Sequence, residues 1–207
     1  MKLCMNLDLS DFSSTAIYHL MTQTIIPRPI AWVLTENENT TLNLAPFSYF
    51  NAVCSDPPLM MLSIGKKPNG EAKDTVTNLQ VGSSCVVHIA HASQADLVSA
   101  TAATLDYGQS EVTENDLSLI EQDQWPLPRI AGAPIAYLCE VHSVSEIGNT
   151  PQQLIFVEAK ALWVDDNAIT EQNGRHIINA NALDPLARLG ANQYADLGNV
   201  FSKIRPK

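Results

Sequence analysis

The chain has 207 residues, with 12 Lys and Arg against 22 Asp and Glu, a formal net charge of -10. A surface that acidic repels phosphate backbones and anionic lipid, which argues against nucleic acid or a membrane surface as the partner. It leaves room for a phosphate-bearing small molecule in a locally basic pocket, and the length suits one domain, residues 1–207, with a substantial core.

The opening MKLCMNLDLSDFSS has one lysine and no long apolar run, so it does not read as a signal peptide. No apolar run in the chain is long enough to span a membrane, and the expectation is a cytoplasmic protein. Residues 13–21 suit a short helix, with Ser13 or Ser14 as its cap. Residues 30–35 (IAWVLT) read as a strand. The polar break at 37–41 makes a hairpin with residues 42–49. Residues 59–64 (LMMLSI) form a second apolar strand, and DTVTNL at 74–79 opens a helix on an acidic residue. Residues 84–90 (SCVVHIA) are strand-like. Residues 93–104 are Ala-rich and helical in pattern, with Ser93 as N-cap, and 116–121 suit another turn or two of helix. PLPRIAGAP at 126–134 reads as a loop inside the domain. Residues 136–144 form a strand that alternates from Cys139 onward, giving one wet face. Residues 154–164 are long for one strand and call for a bend or bulge. Many strands with scattered short helices predict a mainly β fold, a barrel with helical decoration; the helices do not alternate with strands as a doubly wound sheet requires.

The motifs GxGxxG, GxxxxGK[ST], GxSxG and HExxH are all absent. Cys4, Cys54, Cys85 and Cys139 form no CxxC pair, and reduced, mostly buried thiols are expected. The histidines are His19, His88, His91, His142 and His176; structural or solvated roles outweigh a metal site for the spaced pair His88 and His91.

Three stretches carry chemistry. In the first, Pro27 and Pro29 flank Arg28 at the mouth of a strand and hold it extended. A guanidinium fixed there suits a phosphate or carboxylate; equally, it is a surface arginine beside a structural turn. The second, NLAPFSYFNAVCSDPP at 43–58, can lay backbone groups and Ser and Asn side chains along the polar edge of a flat ring, or is simply a strand and a turn. The third, residues 63–75, ends a strand, passes through a basic, Gly-containing loop and starts a helix. Lys66, Lys67 and Lys73 fall within it, three of twelve basic residues in an acidic chain. With Ser63 and Thr75 hydroxyls and a helix start beside them, it suits an anion; the competing reading is a solvated basic loop.

In order and spacing, PRPIAWV (27–33), NLAPFSYFNAVCSDPP, SIGKKP (63–68), KDT (73–75) with Asn78, and the tail DPLARLG (184–190) with Tyr194 and Phe201 resemble the flavin reductase-like family. The resemblance covers most of the chain. It implies the FMN-binding split β-barrel, of Greek-key type with short peripheral helices, and a homodimer with FMN near the subunit interface. It implies that Asn51, Ala52, Val53, Cys54 and Ser55 line the isoalloxazine. Ser63, Lys73 and Thr75 are carried over as phosphate ligands, with Lys66 and Asp74 beside them. The Arg28 region closes the site. Trp32, Phe47 and Tyr49 are ring-packing candidates next to Ser48, with core packing the competing role for Trp32, and Tyr194 borders the flavin. GNTPQQ at 148–153 lacks the Gly-Asp-His turn of many relatives. The implied activity is hydride transfer from NADH or NADPH to FMN, with reduced flavin or electrons passed to a partner such as an oxygenase. The cofactor carries the chemistry, which accounts for the lack of an acid–base pair or nucleophile. Two alternatives stand beside it: a flavoredoxin-like FMN electron carrier without direct NAD(P)H activity, and a non-enzymatic flavin-binding protein.

Overall fold

A computed structural model of the protein describes residues 5–149, 151–204 and 206, so Cys4 and Thr150 lie outside it. In chain order the elements are α1 (Ser14–Thr24), β1 (Arg28–Pro29), β2 (Ala31–Glu36), β3 (Leu42–Phe47), β4 (Phe50–Ser55), β5 (Pro58–Ile64) and α2 (Asp74–Asn78). There follow β6 (Ser84–Ile89), α3 (Ala95–Ala100), α4 (Glu111–Glu114), β7 (Leu119–Ile120), β8 (Arg129–Ile130), β9 (Ile135–Ile147) and β10 (Gln152–Val164). The chain ends with β11 (Ile169–Gln172), β12 (Arg175–Ile178), α5 (Ala180–Leu183), β13 (Ala187–Arg188) and β14 (Tyr194–Ala195).

The main sheet runs β3-β2-β6-β9-β10-β5-β4, antiparallel throughout. Its two ends, β3 and β4, are separated in sequence only by Ser48 and Tyr49. They are two halves of one bent strand: the first half pairs with β2, the second with β5. That shared strand closes the sheet into a barrel, and Tyr49 O accepts from Ser63 N at 2.8 Å where it bends. β2, the bent strand and β5 are joined as successive hairpins, and β6 returns to lie beside β2, which is Greek-key order. The mainly β expectation is borne out.

Period-two alternation sorts the apolar side chains into two layers. Ala31, Val33, Leu62, Ile64, Cys85, Val87, Val141, Ile155 and Val157 fill the barrel interior. Trp32, Leu34, Leu44, Val86 and Ala136 point outward beneath Val98 of α3, Val112 of α4, and Leu127, Ile130 and Leu186. The run IAWVL is therefore buried on both faces, as a near-continuous apolar run requires. The expected bulge in the long strand is present: the β9–β10 register shifts at Phe156/Val157 and again between Ala159 and Ala161.

Three local expectations are corrected. Residues 116–121 are not helical: the helix precedes them as α4, Asp116 takes φ 49°, and Leu119–Ile120 pairs with Arg129–Ile130 inside the stretch expected to be a loop. Cross-strand pairing overrides a weak local helix signal. The helix expected over 93–104 is a 3₁₀ turn, Ala92–Gln94, followed by α3, and it is capped by His91, not Ser93. The His91 ring accepts from Ser93 N, while Gln94 Oε1 accepts from His91 N, both at 3.0 Å. Cys85 and Cys139 are free and buried as expected, but Cys54 is exposed. Ser13 does cap α1, its hydroxyl accepting from Ala16 N.

Candidate functional site

The bend at Ser48–Tyr49 leaves a depression with three lobes, all of which touch Pro46. The largest is a groove of about 630 Å³ between α1 (Ile17, Tyr18, Met21), the bend (Pro46 to Tyr49), and Ser63, Gly65, Lys66, Lys73 and Gln152. A recess of about 70 Å³ lies between Asn43, Lys67, Asp74, Thr75 and Glu111. A third lobe of about 140 Å³ lies between Ile30, Ser48, Val98, Ala102, Arg188 and Tyr194.

The basic loop divides its charges unequally. Lys67 Nζ sits 2.5 Å from Asp74 Oδ1, so that pair is neutralised internally. Lys66 is exposed at the groove rim. Lys73 is half-buried with its ammonium 5.9 Å from the Phe47 ring centroid, and no carboxylate pairs with it among the described residues. Burial, and then the nearby Lys67, push the Lys73 pKa down. α2 is only five residues long, so the cations and not the helix dipole make this end of the groove attractive to anions.

Thr75 is pinned: Asn43 Nδ2 donates to its hydroxyl at 3.0 Å and to Thr35 Oγ1 at 3.1 Å. Asn78 Nδ2 donates to the same Thr35 hydroxyl and to Asn37 Oδ1. This network fastens α2 to the β2–β3 hairpin and fixes the floor of the recess. Glu111 of α4 closes the recess, accepting from Leu44 N at 3.0 Å, and burial raises its pKa.

Arg28 is 6% exposed and its guanidinium donates four hydrogen bonds. It donates to the carbonyls of Thr22 and Ile25 at the end of α1, to Leu189 O in the C-terminal tail, and to Ser48 Oγ. It ties the end of α1 and the C-terminal tail to the bend with four of its five N–H donors, so the role its contacts show is a tether. Trp32 is 0% exposed and donates from Nε1 to Thr101 Oγ1 at 2.9 Å. It packs in the outer layer, away from any ring in the groove, so the core role applies. His88, also 0% exposed, is held by Trp32 O on Nδ1 and by Ile130 N on Nε2, both at 3.0 Å. That arrangement needs the neutral imidazole, and burial lowers its pKa to about 4.

The structure gathers Phe47, Ser48, Ser63, Lys66, Lys73, Asp74, Thr75 and Tyr194 around the depression. It sets Asn51, Ala52, Val53, Cys54 and Ser55 apart, exposed on β4 and outside all three lobes. The sequence reading passed over the α1 side chains, Gln152, Glu111 and Arg188. Exposed Tyr18 and Met21, three apart on α1, were a legible signal of a helix covering something. Gln152 and Glu111 reach the site only through tertiary packing and gave none.

The flavin reductase like domain model matches residues 21–183. The uncharacterized protein YwrF of Bacillus subtilis (strain 168) is 33% identical over 198 residues, which is 94% of this chain and 95% of that protein. The structure of nitrilotriacetate monooxygenase component B from Bacillus cereus superposes with a TM-score of 0.87 at 32% identity, covering 98% of this chain and 100% of that one. A split barrel domain from Shewanella frigidimarina NCIMB 400 shares the fold at TM-score 0.80 and 19% identity, over 96% of each chain. A family model that spans most of the chain, on a barrel split at the bend of a shared strand, makes this protein a member of the flavin reductase-like family.

Proposed function

We propose that the chain binds FMN in the groove beside the strand bend and acts as a flavin reductase, drawing hydride from NADH or NADPH. The phosphate takes the Lys66–Lys73 end and the ring lies along Pro46 to Tyr49. Lys73 carries this reading. It is a half-buried cation, its pKa lowered by burial, with no carboxylate against it among the described residues. A phosphate there removes the penalty and accepts charge-assisted hydrogen bonds.

The groove residues fit the group. A volume of about 630 Å³ lies within the range of small-molecule sites, roughly 300–1,000 Å³. One wall is apolar (Ile17, Met21, Phe47), and Ser48 and Ser63 bring hydroxyls to the other. Gly65 keeps the backbone close: a Cβ there comes within 3.0 Å of Gln152 Oε1. Bound FMN supplies the hydride and electron transfer, so the chain's part is binding and orientation. Lys73 and Lys66 fix the anionic end. Arg28 holds Ser48, and with it the bend, at a set height above the end of α1.

Two extensions belong to the same reading. The exposed β4 edge, with Val53 52% exposed, supports a homodimer in which a second copy covers the Asn51–Ser55 face beside the groove. Likeness to a monooxygenase component B supports delivery of reduced flavin or electrons to a partner oxygenase.

The test titrates FMN and riboflavin, which differ by the phosphate, into the protein and into Lys73→Met. FMN affinity should fall about tenfold to a hundredfold in the variant, with riboflavin unchanged. Failure to retain either flavin after desalting rules out the cofactor assignment. Retained flavin that neither NADH nor NADPH bleaches anaerobically rules out the reductase half and leaves a flavoredoxin-like carrier.

A further inference from the structure

The lobe on the far side of Ser48 has a character of its own. Its volume, about 140 Å³, is close to that of a cavity known to hold one benzene ring, about 150 Å³. Pro46 and Ala102 give it apolar walls above the buried Ile30 and Val98, and the half-buried Tyr194 gives it an aromatic one. Among the described residues that line it, the one charged side chain is Arg188.

Arg188 is built into place. Its guanidinium carbon lies 4.5 Å from the centroid of the Tyr194 ring, its cross-strand partner in the β13–β14 pair. Nη2 donates to Ala191 O. The stack and this bond fix the plane of the fork, while Nε and Nη1 have no hydrogen-bond partner among the described residues. Among the described residues no carboxylate lies within ion-pair distance of it either. The contrast with Arg28 is direct: that guanidinium, one strand away at the Arg28–Arg188 pairing, is spent on the fold. A pre-oriented, half-desolvated fork with free donors suits a planar carboxylate better than it suits a neutral group.

We propose that this lobe is a binding subsite for a single-ring aromatic carboxylate, with the ring between Tyr194, Pro46 and Ala102 and the carboxylate on Arg188. Ser48 stands between this lobe and the groove, so a ring seated here lies beside whatever the groove holds. That adjacency to a flavin rests on the FMN reading; the binding itself does not.

Benzoate and its neutral isostere benzamide are the probes, followed by equilibrium dialysis on flavin-stripped protein and on protein saturated with FMN. Benzoate should bind saturably to both forms, about tenfold or more tightly than benzamide. Arg188→Gln should cost benzoate about tenfold or more and leave benzamide unchanged. The melting temperature of the variant shows whether its fold is intact, and Arg188→Lys, which keeps the charge and loses the fork, should fall between the two. Absence of saturable benzoate binding, equal affinity for the two probes, or indifference to Arg188→Gln in a folded variant overturns the proposal. So does one-for-one displacement of benzoate by FMN, since the lobe is then part of the flavin site. FMN retention, read from its own absorbance, reports separately on the groove.

Discussion

The strand that closes the barrel has two unlike halves. Leu42–Phe47 lies against β2, and Leu44, Asn43 and Phe47 are buried, with Asn43 and Leu44 tied to α2 and α4. Phe50–Ser55, six residues of similar apolarity, is exposed from Asn51 onward. One half has a layer of helices and loops over it; the other, among the described residues, pairs with β5 and touches β1 at its start. The difference shows that burial here is set by what the rest of the chain folds over a strand, not by the strand's own composition. It also explains where the site lies. A depression forms at the junction, where a covered half hands over to an open one.

The largest test of this contrast is on the covered side. Trp32→Ala removes a fully buried indole and the hydrogen bond it gives Thr101, and should cost about 4 kcal/mol in a denaturant titration. A loss below about 1 kcal/mol means that the outer layer is not the packed wall described here. Acid probes the same side through His88. Its folded pKa of about 4 lies below its ordinary 6.5, so the unfolded chain binds the extra proton. Its contribution is present in full above pH 6.5 and is lost as pH falls from 6.5 to 4, about 3 kcal/mol at the limit. Melting points across that window should drop, and less steeply in His88→Gln. Arg28→Ala tests the tether at the junction. It leaves the Thr22 and Leu189 carbonyls without their donor and should cost about 2 kcal/mol, while loosening the grip of the groove on FMN. The smallest effect is expected on the open half: Val53→Ala should change stability by less than about 0.5 kcal/mol at low protein concentration. A larger, concentration-dependent loss shows that a second copy covers β4 in solution.

Much of the barrel was legible because its strands are β-branched runs that pair with each other. Residues 30–35, 59–64, 84–90 and 154–164 needed no tertiary information, and even the bulge in the last showed in its length. Residues 116–121 did not, since DLSLIE has no strong period and its two-residue strand exists only because Arg129–Ile130 comes alongside. At the site, Lys73, Ser63 and Phe47 were legible as chemistry next to one another in sequence. Arg28 was legible as a fixed arginine but not as a tether, because the carbonyls it binds include Leu189 O, 161 residues away. Arg188 was passed over for the opposite reason: only its stack on Tyr194 distinguishes it from any surface arginine.

The shared strand also bears on the order in which the molecule assembles. All its ladder partners are hairpin neighbours, β2 just before it and β5 just after, so residues 31–64 can zip with only short loops to close. The pairing of Trp32 with His88, and that of β5 with β10, must bring together distant parts of the chain. Pulse-labelled amide exchange during refolding should therefore protect the β2–β3, β4–β5 and β9–β10 hairpins ahead of the β2–β6, β6–β9 and β5–β10 pairings. The bend would then exist as a local fold before the barrel it closes.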